Sequence, residues 1–108
     1  MAHKFVIVSA PGEREGLFLY GDVDQHKELV RAFEERTGQY VKVHGGGWYH
    51  INQEGRIVTL YGQSGDYGSP QFQWMNRLPS ELKGYRFFFT PIVHFPGNEL
   101  DLEEVRWI

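Results

Sequence analysis

The chain has 108 residues, a length that suits one domain able to bury a core without disulfides or metals. It contains no cysteine, which excludes disulfides, thiolate metal sites and thiol catalysis. A net charge of −3 with scattered Lys and Arg argues against a nucleic-acid partner, because a surface that follows phosphates needs clustered cations.

Hydrophobic residues at 41% and charged residues at 23% are ordinary for a globular domain, while aromatics at 16% point to a sheet-rich core. The opening stretch MAHKFVIVSAPGE has too short an apolar run for a signal peptide. No segment has the apolar length of a membrane span. The expectation is a cytoplasmic protein with no membrane partner.

In chain order, Lys4 to Ser9 reads as a buried strand, and Leu17 to Tyr20 as a second short strand or part of a loop. Asp22-Val23-Asp24 then opens a helix with Asp24 as N-cap. This helix is predicted to run to Arg36-Thr37, with Gly38 in the left-handed position that ends it. Its apolar residues are Leu29, Val30 and Phe33, and His26 shares their face, one turn from the helix start. Gln39 to His44 alternates as a strand should. After Gly45-Gly46-Gly47, the segments Trp48 to Asn52 and Arg56 to Tyr61 read as a hairpin turned by Gln53-Glu54-Gly55, with Gly55 left-handed.

Ser69-Pro70 reads as the cap and first residue of a second helix extending to about Arg77. Pro79 interrupts it, Ser80 and Glu81 open one more turn, and Tyr85 to Thr90 is a strong strand. Beyond Pro91, FPGN reads as a turn, the acidic run Glu99 to Glu104 as a solvated face, and Val105 to Trp107 as a final edge strand. The predicted architecture is α+β: one domain over residues 1–108, with a central mixed or antiparallel sheet covered by two helices and residues 91–108 as a C-terminal extension.

Two features could carry chemistry. The loop Gly62-Gln63-Ser64-Gly65-Asp66-Tyr67-Gly68-Ser69-Pro70 combines flexible residues with an expected helix start, so its amides and the helix dipole could cradle an anion, with Ser64 adding a hydroxyl. The plainer reading is a loop whose glycines only make turns, and the Asp66 carboxylate opposes an anion. The second feature is His26. At a helix start the dipole disfavours the imidazolium and keeps the ring neutral, the form a base or nucleophile needs. Its plainer reading is a satisfied histidine at the core edge. The remaining histidines, His3, His44, His50 and His94, lack metal-ligand spacing, so no metal and no cofactor is expected.

Taken together, Gly45-Gly46-Gly47, residues 48–60, and Tyr61-Gly62-Gln63-Ser64-Gly65-Asp66-Tyr67-Gly68 closely resemble the protein phosphohistidine phosphatase (janus) family, with its GGG run, hairpin and YGxSxxYGP-type loop. Asp24-Gln25-His26-Lys27 is similar to the start of the family's histidine-bearing helix, and Lys4 to Val8 to its first strand. The resemblance covers about residues 3 to 90. It implies metal-independent hydrolysis of phosphohistidine or a related phosphoramidate, on a phosphorylated protein or a small molecule. It makes His26 the catalytic histidine, Lys4 the substrate-binding lysine, and Ser64, Gly65 and Asp66 the phosphate-binding loop. In that role the second glycine cluster lets amides approach phosphate, while the first bends the chain into the hairpin. The chain departs from the family at Trp48, where a basic residue is common, at Asp66, where a small one is, and in having Ser69 before Pro70.

Whether His26 acts as base or nucleophile stays open at this stage, as does the oligomeric state. One alternative is a non-catalytic binding module on the same fold, using Trp48, Tyr49, Tyr67 and Trp74 as an aromatic surface. Another is a different hydrolase that pairs Asp66 with His26 or His50.

Overall fold

The computed structural model describes residues 2–90 and the backbone of Arg106 and Trp107. The expected FPGN turn, the acidic run 99–104 and Val105 lie outside the described residues.

Among the described residues the strands are β1 (Ala2–Ser9), β2 (Gly16–Val23), β3 (Lys42–Asn52), β4 (Ile57–Tyr61), β5 (Met75–Arg77), β6 (Arg86–Thr90) and β7 (Arg106–Trp107), and the α-helix is α1 (His26–Thr37). They form one sheet in the order β5-β2-β1-β3-β4-β6-β7. Pairing is antiparallel except for β2 with β5 and β4 with β6, so the sheet is mixed and the class is α+β. The edge strand expected near the C-terminus is present as β7, against Phe88 and Phe89.

Alternation along β1 divides the core between the two faces of the sheet. Val6 and Val8 pack with Val30 of α1, joined by Leu17, Leu19, Leu29 and Val43. Phe5 and Ile7 point the other way, into a larger cluster with Phe18, Tyr49, Val58, Leu60, Leu82 and Phe87.

The second predicted helix does not form. From Pro70 the chain makes only a 3-10 turn over Phe72–Trp74, then enters β5, and a second 3-10 turn covers Ser80–Leu82. The larger cluster is roofed by this irregular segment through Phe72, Trp74, Met75, Leu78, Leu82 and Tyr85. Edge pairing overrides the cap signal of Ser69-Pro70: Met75 and Arg77 pair with Gly16 and Leu17, and Asn76 Oδ1 accepts the Gly16 N–H at 3.3 Å. Gly16 permits this approach, since a Cβ there would overlap the Trp74 carbonyl oxygen.

Three smaller expectations also shift. Asp22 and Val23 belong to β2, paired with His3 and Ala2, so the helix begins later and Gln25 takes the N-cap. There the Gln25 N–H donates to Glu28 Oε2 at 2.6 Å. Gly38 ends α1 at φ 71°, as expected. In the β3–β4 turn the left-handed residue is Arg56 (φ 52°), not Gly55.

The Gly45-Gly46-Gly47 run does not bend the chain away from the sheet. It lies inside β3, where it makes a bulge: Val6 pairs with Gly46 but Val8 pairs with Val43, so β3 carries one extra residue, with Gly45 at φ +88°. The extra residue lets Val43 and Trp48 face α1 together although an odd number of positions separates them.

Candidate functional site

The expected residues meet at the N-terminal end of α1. Trp48 pairs with Lys4 across β3 and β1, so both side chains stand on the α1 face. The Lys4 ammonium donates to the Asp24 carbonyl oxygen and lies 5.8 Å from the Trp48 ring centroid. His26, the first residue of α1, is 3% exposed, and its ring meets the Trp48 ring edge-on at 5.1 Å.

The His26 Nε2 lies 2.8 Å from the Gly47 carbonyl oxygen. A carbonyl only accepts, so Nε2 carries the proton and the neutral ring keeps its lone pair on Nδ1. Burial holds this imidazole below its ordinary 6.5; the Gly47 bond opposes that shift, the Lys4 ammonium adds to it, and the Asp66 carboxylate opposes it. The helix start disfavours the cation as well. His26 is therefore a neutral, tautomer-fixed imidazole at pH 7.

The loop after β4 reaches the same place. Ser64 N–H donates to the Gly46 carbonyl oxygen at 2.9 Å, one residue from the carbonyl that holds His26, and Gly46 N–H donates to Gly68 at 3.2 Å. The glycines of β3 make room for this crossing: a Cβ on Gly45 would press on Ser69 and Pro70, and one on Gly47 would lie 2.6 Å from the Tyr61 carbonyl oxygen.

Ser64 is 2% exposed, and its Oγ accepts the N–H groups of Asp66 at 3.2 Å and Tyr67 at 3.1 Å. Of the amides expected to receive an anion, those of Ser64 and Asp66 are already bonded within the fold. Gly65 and Asp66 are exposed, and a Cβ at Gly65 would meet nothing within 4 Å. Ser69 Oγ donates to Gln63 at 2.8 Å, and the next element is the 3-10 turn Phe72–Trp74, which is too short to add a helix dipole.

The aromatic residues expected to form one surface are divided between the two faces of the sheet, Trp48 and Tyr67 on the α1 side and Tyr49 and Trp74 on the other. Tyr49 is 8% exposed and lies in the larger cluster, Trp74 packs against that cluster, and Tyr67 packs against the cluster under α1. Trp48 alone stands beside His26. Of the proposed acid–base pairs, His26 gives its Nε2 to Gly47, and His50 lies exposed opposite Thr59 on β4.

Sequence reasoning did not anticipate the pairing of Ser9 and His44. Ser9 Oγ lies 2.7 Å from His44 Nε2 between β1 and β3, both residues are buried, and the His44 ring stacks on Trp74 at 4.0 Å. The alternation of KFVIVS and QYVKVH was the only signal for it, and the bulge at Gly45 hides the register. Among the described residues no three His, Asp or Glu come together as metal ligands. A groove of about 510 Å³ lies at the other end of α1, against Arg31, Glu34, Glu35, Gly38, Gln39 and Tyr40, and does not include His26. No helix among the described residues is long and apolar enough to cross a membrane.

No family model matches the chain, and no curated protein matches its sequence.

Proposed function

We propose that the chain is a metal-independent phosphoramidate hydrolase of the phosphohistidine phosphatase type, acting in the cytoplasm on a phosphorylated protein or small molecule. The observation that carries this reading is the His26–Gly47 bond, which leaves a neutral imidazole with its lone pair on Nδ1. Such a lone pair can take a proton from an attacking water or attack phosphorus directly. The Lys4 ammonium, held beside the same helix start, supplies countercharge to the phosphoryl oxygens. The exposed Gly65 amide is the part of the loop left to approach them. The test is phosphorus NMR of phosphohistidine and phospholysine in EDTA, with wild type beside His26→Ala. Phosphate release by the wild type and not by the variant supports the reading, and equal turnover by both removes it.

A second reading, a non-catalytic binding module on the same fold, is favoured by one observation: the Ser64 and Asp66 amides are bonded within the fold. Its test is a phosphate titration followed by amide NMR. Shifts at residues 64–67 support the hydrolase, and shifts confined to the aromatic residues Trp48, Tyr49 and Trp74 support the module.

A further inference from the structure

The group around His26 carries charges of both signs. Lys4 stands on one side, fixed by the Asp24 carbonyl and lying beside the Trp48 ring. On the other side the Ser64 turn is tied to Gly46, next to the Gly47 carbonyl that holds His26, and the turn presents Asp66 to solvent. The Asp66 carboxylate is close enough for its field to act on the His26 ring, as the Lys4 field does with opposite sign. A substrate that is anionic throughout meets repulsion from Asp66, and one that is cationic throughout meets repulsion from Lys4. The complementary substrate is dipolar, with its phosphoryl group toward Lys4 and a permanent cation toward Asp66.

Resting on the hydrolase reading, we propose that this site prefers N-phosphorylated guanidines, of which phosphoarginine is the simplest protein-borne example, over phosphohistidine, because Asp66 receives the guanidinium while Lys4 receives the phosphoryl group. A guanidinium is planar, keeps its charge at all working pH and pairs with a carboxylate through two N–H groups. An imidazole leaving group departs neutral once it carries one proton, so it gains less from Asp66. In the reaction a P–O bond forms to water as the P–N bond breaks. One proton leaves the water by way of His26 Nδ1, and one proton reaches the departing nitrogen. The products are inorganic phosphate and a guanidinium, with no redox change and no further co-reactant. The negative charge of Asp66 is therefore placed where the departing group is cationic.

The experiment compares kcat/KM for a phosphoarginine peptide and a matched phosphohistidine peptide, by phosphate release in EDTA, for wild type, Asp66→Asn, Asp66→Glu and His26→Ala. The expected result is a wild-type preference for phosphoarginine that falls about tenfold or more in Asp66→Asn, the scale of one charge-assisted contact. Asp66→Glu, which keeps the charge, retains more of the preference. Phosphohistidine turnover that depends on His26, with no preference for phosphoarginine or with a preference indifferent to Asp66→Asn, overturns this proposal and leaves the hydrolase reading standing. Release from neither substrate overturns both.

Discussion

A Cβ on Gly45 would overlap the carbonyl oxygen of Ser69 and lie 2.8 Å from Pro70 Cα, so the bulge of β3 and the chain leaving the loop are in backbone contact. Gly45 also sits at φ +88°, where a side chain is strained whatever the space around it. Gly45→Ala is expected to destabilise the domain by about 3 kcal/mol or more, from overpacking and backbone strain together. Gly65→Ala, with nothing within 4 Å of its Cβ, is expected to change stability by less than about 1 kcal/mol. Urea midpoints for the two variants check the contrast. Equal midpoints would mean that the loop and the bulge move apart freely.

That contact marks where the sequence was legible and where it was not. The helix bearing His26 could be read because its signals are local: spaced apolar residues, a polar start and Gly38 in the left-handed position that ends it. Lys4 and His26 were placed at one site by the resemblance, and their side chains do come together there, with the Lys4 field felt at the His26 ring. The second helix was misread because Ser69-Pro70 has the form of a helix cap and first residue. What decides that segment is the free edge of β2, a partner distant in sequence. The glycine run was misassigned as a bend for a similar reason, since the need for it lies in Ser69, Phe5 and Tyr61, which approach from other elements. The Ser64 hydroxyl, read in the sequence as a donor to an anion, also accepts two amides of its own turn, a role that no local pattern signals.

The two charges flanking His26 act on its titration with opposite sign. Burial sets its pKa below 6.5, Lys4 lowers it further, and Asp66 raises it. Lys4→Met is therefore expected to raise the His26 pKa, and Asp66→Asn to lower it. Imidazole NMR titration reads both shifts directly. If both variants shift in the same direction, the two charges do not flank the ring as described.

Stability should also depend on pH through the two buried imidazoles. Burial lowers the pKa of His26 and of His44, and in His44 the Lys42 ammonium adds to the effect. Once unfolded, each titrates near its ordinary value of about 6.5, so below that pH the unfolded chain binds more protons. Their contribution is complete above about pH 6.5 and is lost as pH falls from there through the folded values, at up to about 1.4 kcal/mol per pH unit for each group. The urea midpoint is expected to fall between about pH 7 and about pH 5. His44→Gln, which removes one of the two groups, should flatten that fall, and an unchanged slope would show that His44 becomes protonated without cost.

The turn that presents Asp66 depends on the Ser64 hydroxyl, whose Oγ accepts two consecutive amides while the Ser64 N–H and carbonyl are bonded to Gly46 and Gly68. Ser64→Ala keeps the two backbone bonds and removes the side-chain acceptor. The Asp66 and Tyr67 amides are only partly buried, so water replaces some of what is lost, and the expected cost is about 1 kcal/mol, the low end for an unsatisfied donor. The local effect should exceed the global one. Hydrogen exchange at Asp66 and Tyr67 should quicken about tenfold or more, while exchange in β1 follows only the small change in overall stability. Ser64→Thr, which restores an acceptor at the same position, should return most of the protection. If Ser64→Ala leaves exchange at both amides unchanged, the shape of the turn is set by Gly62 and Gly68 at φ 69° and 78° rather than by the hydroxyl, and Asp66 would keep its place beside His26 without it.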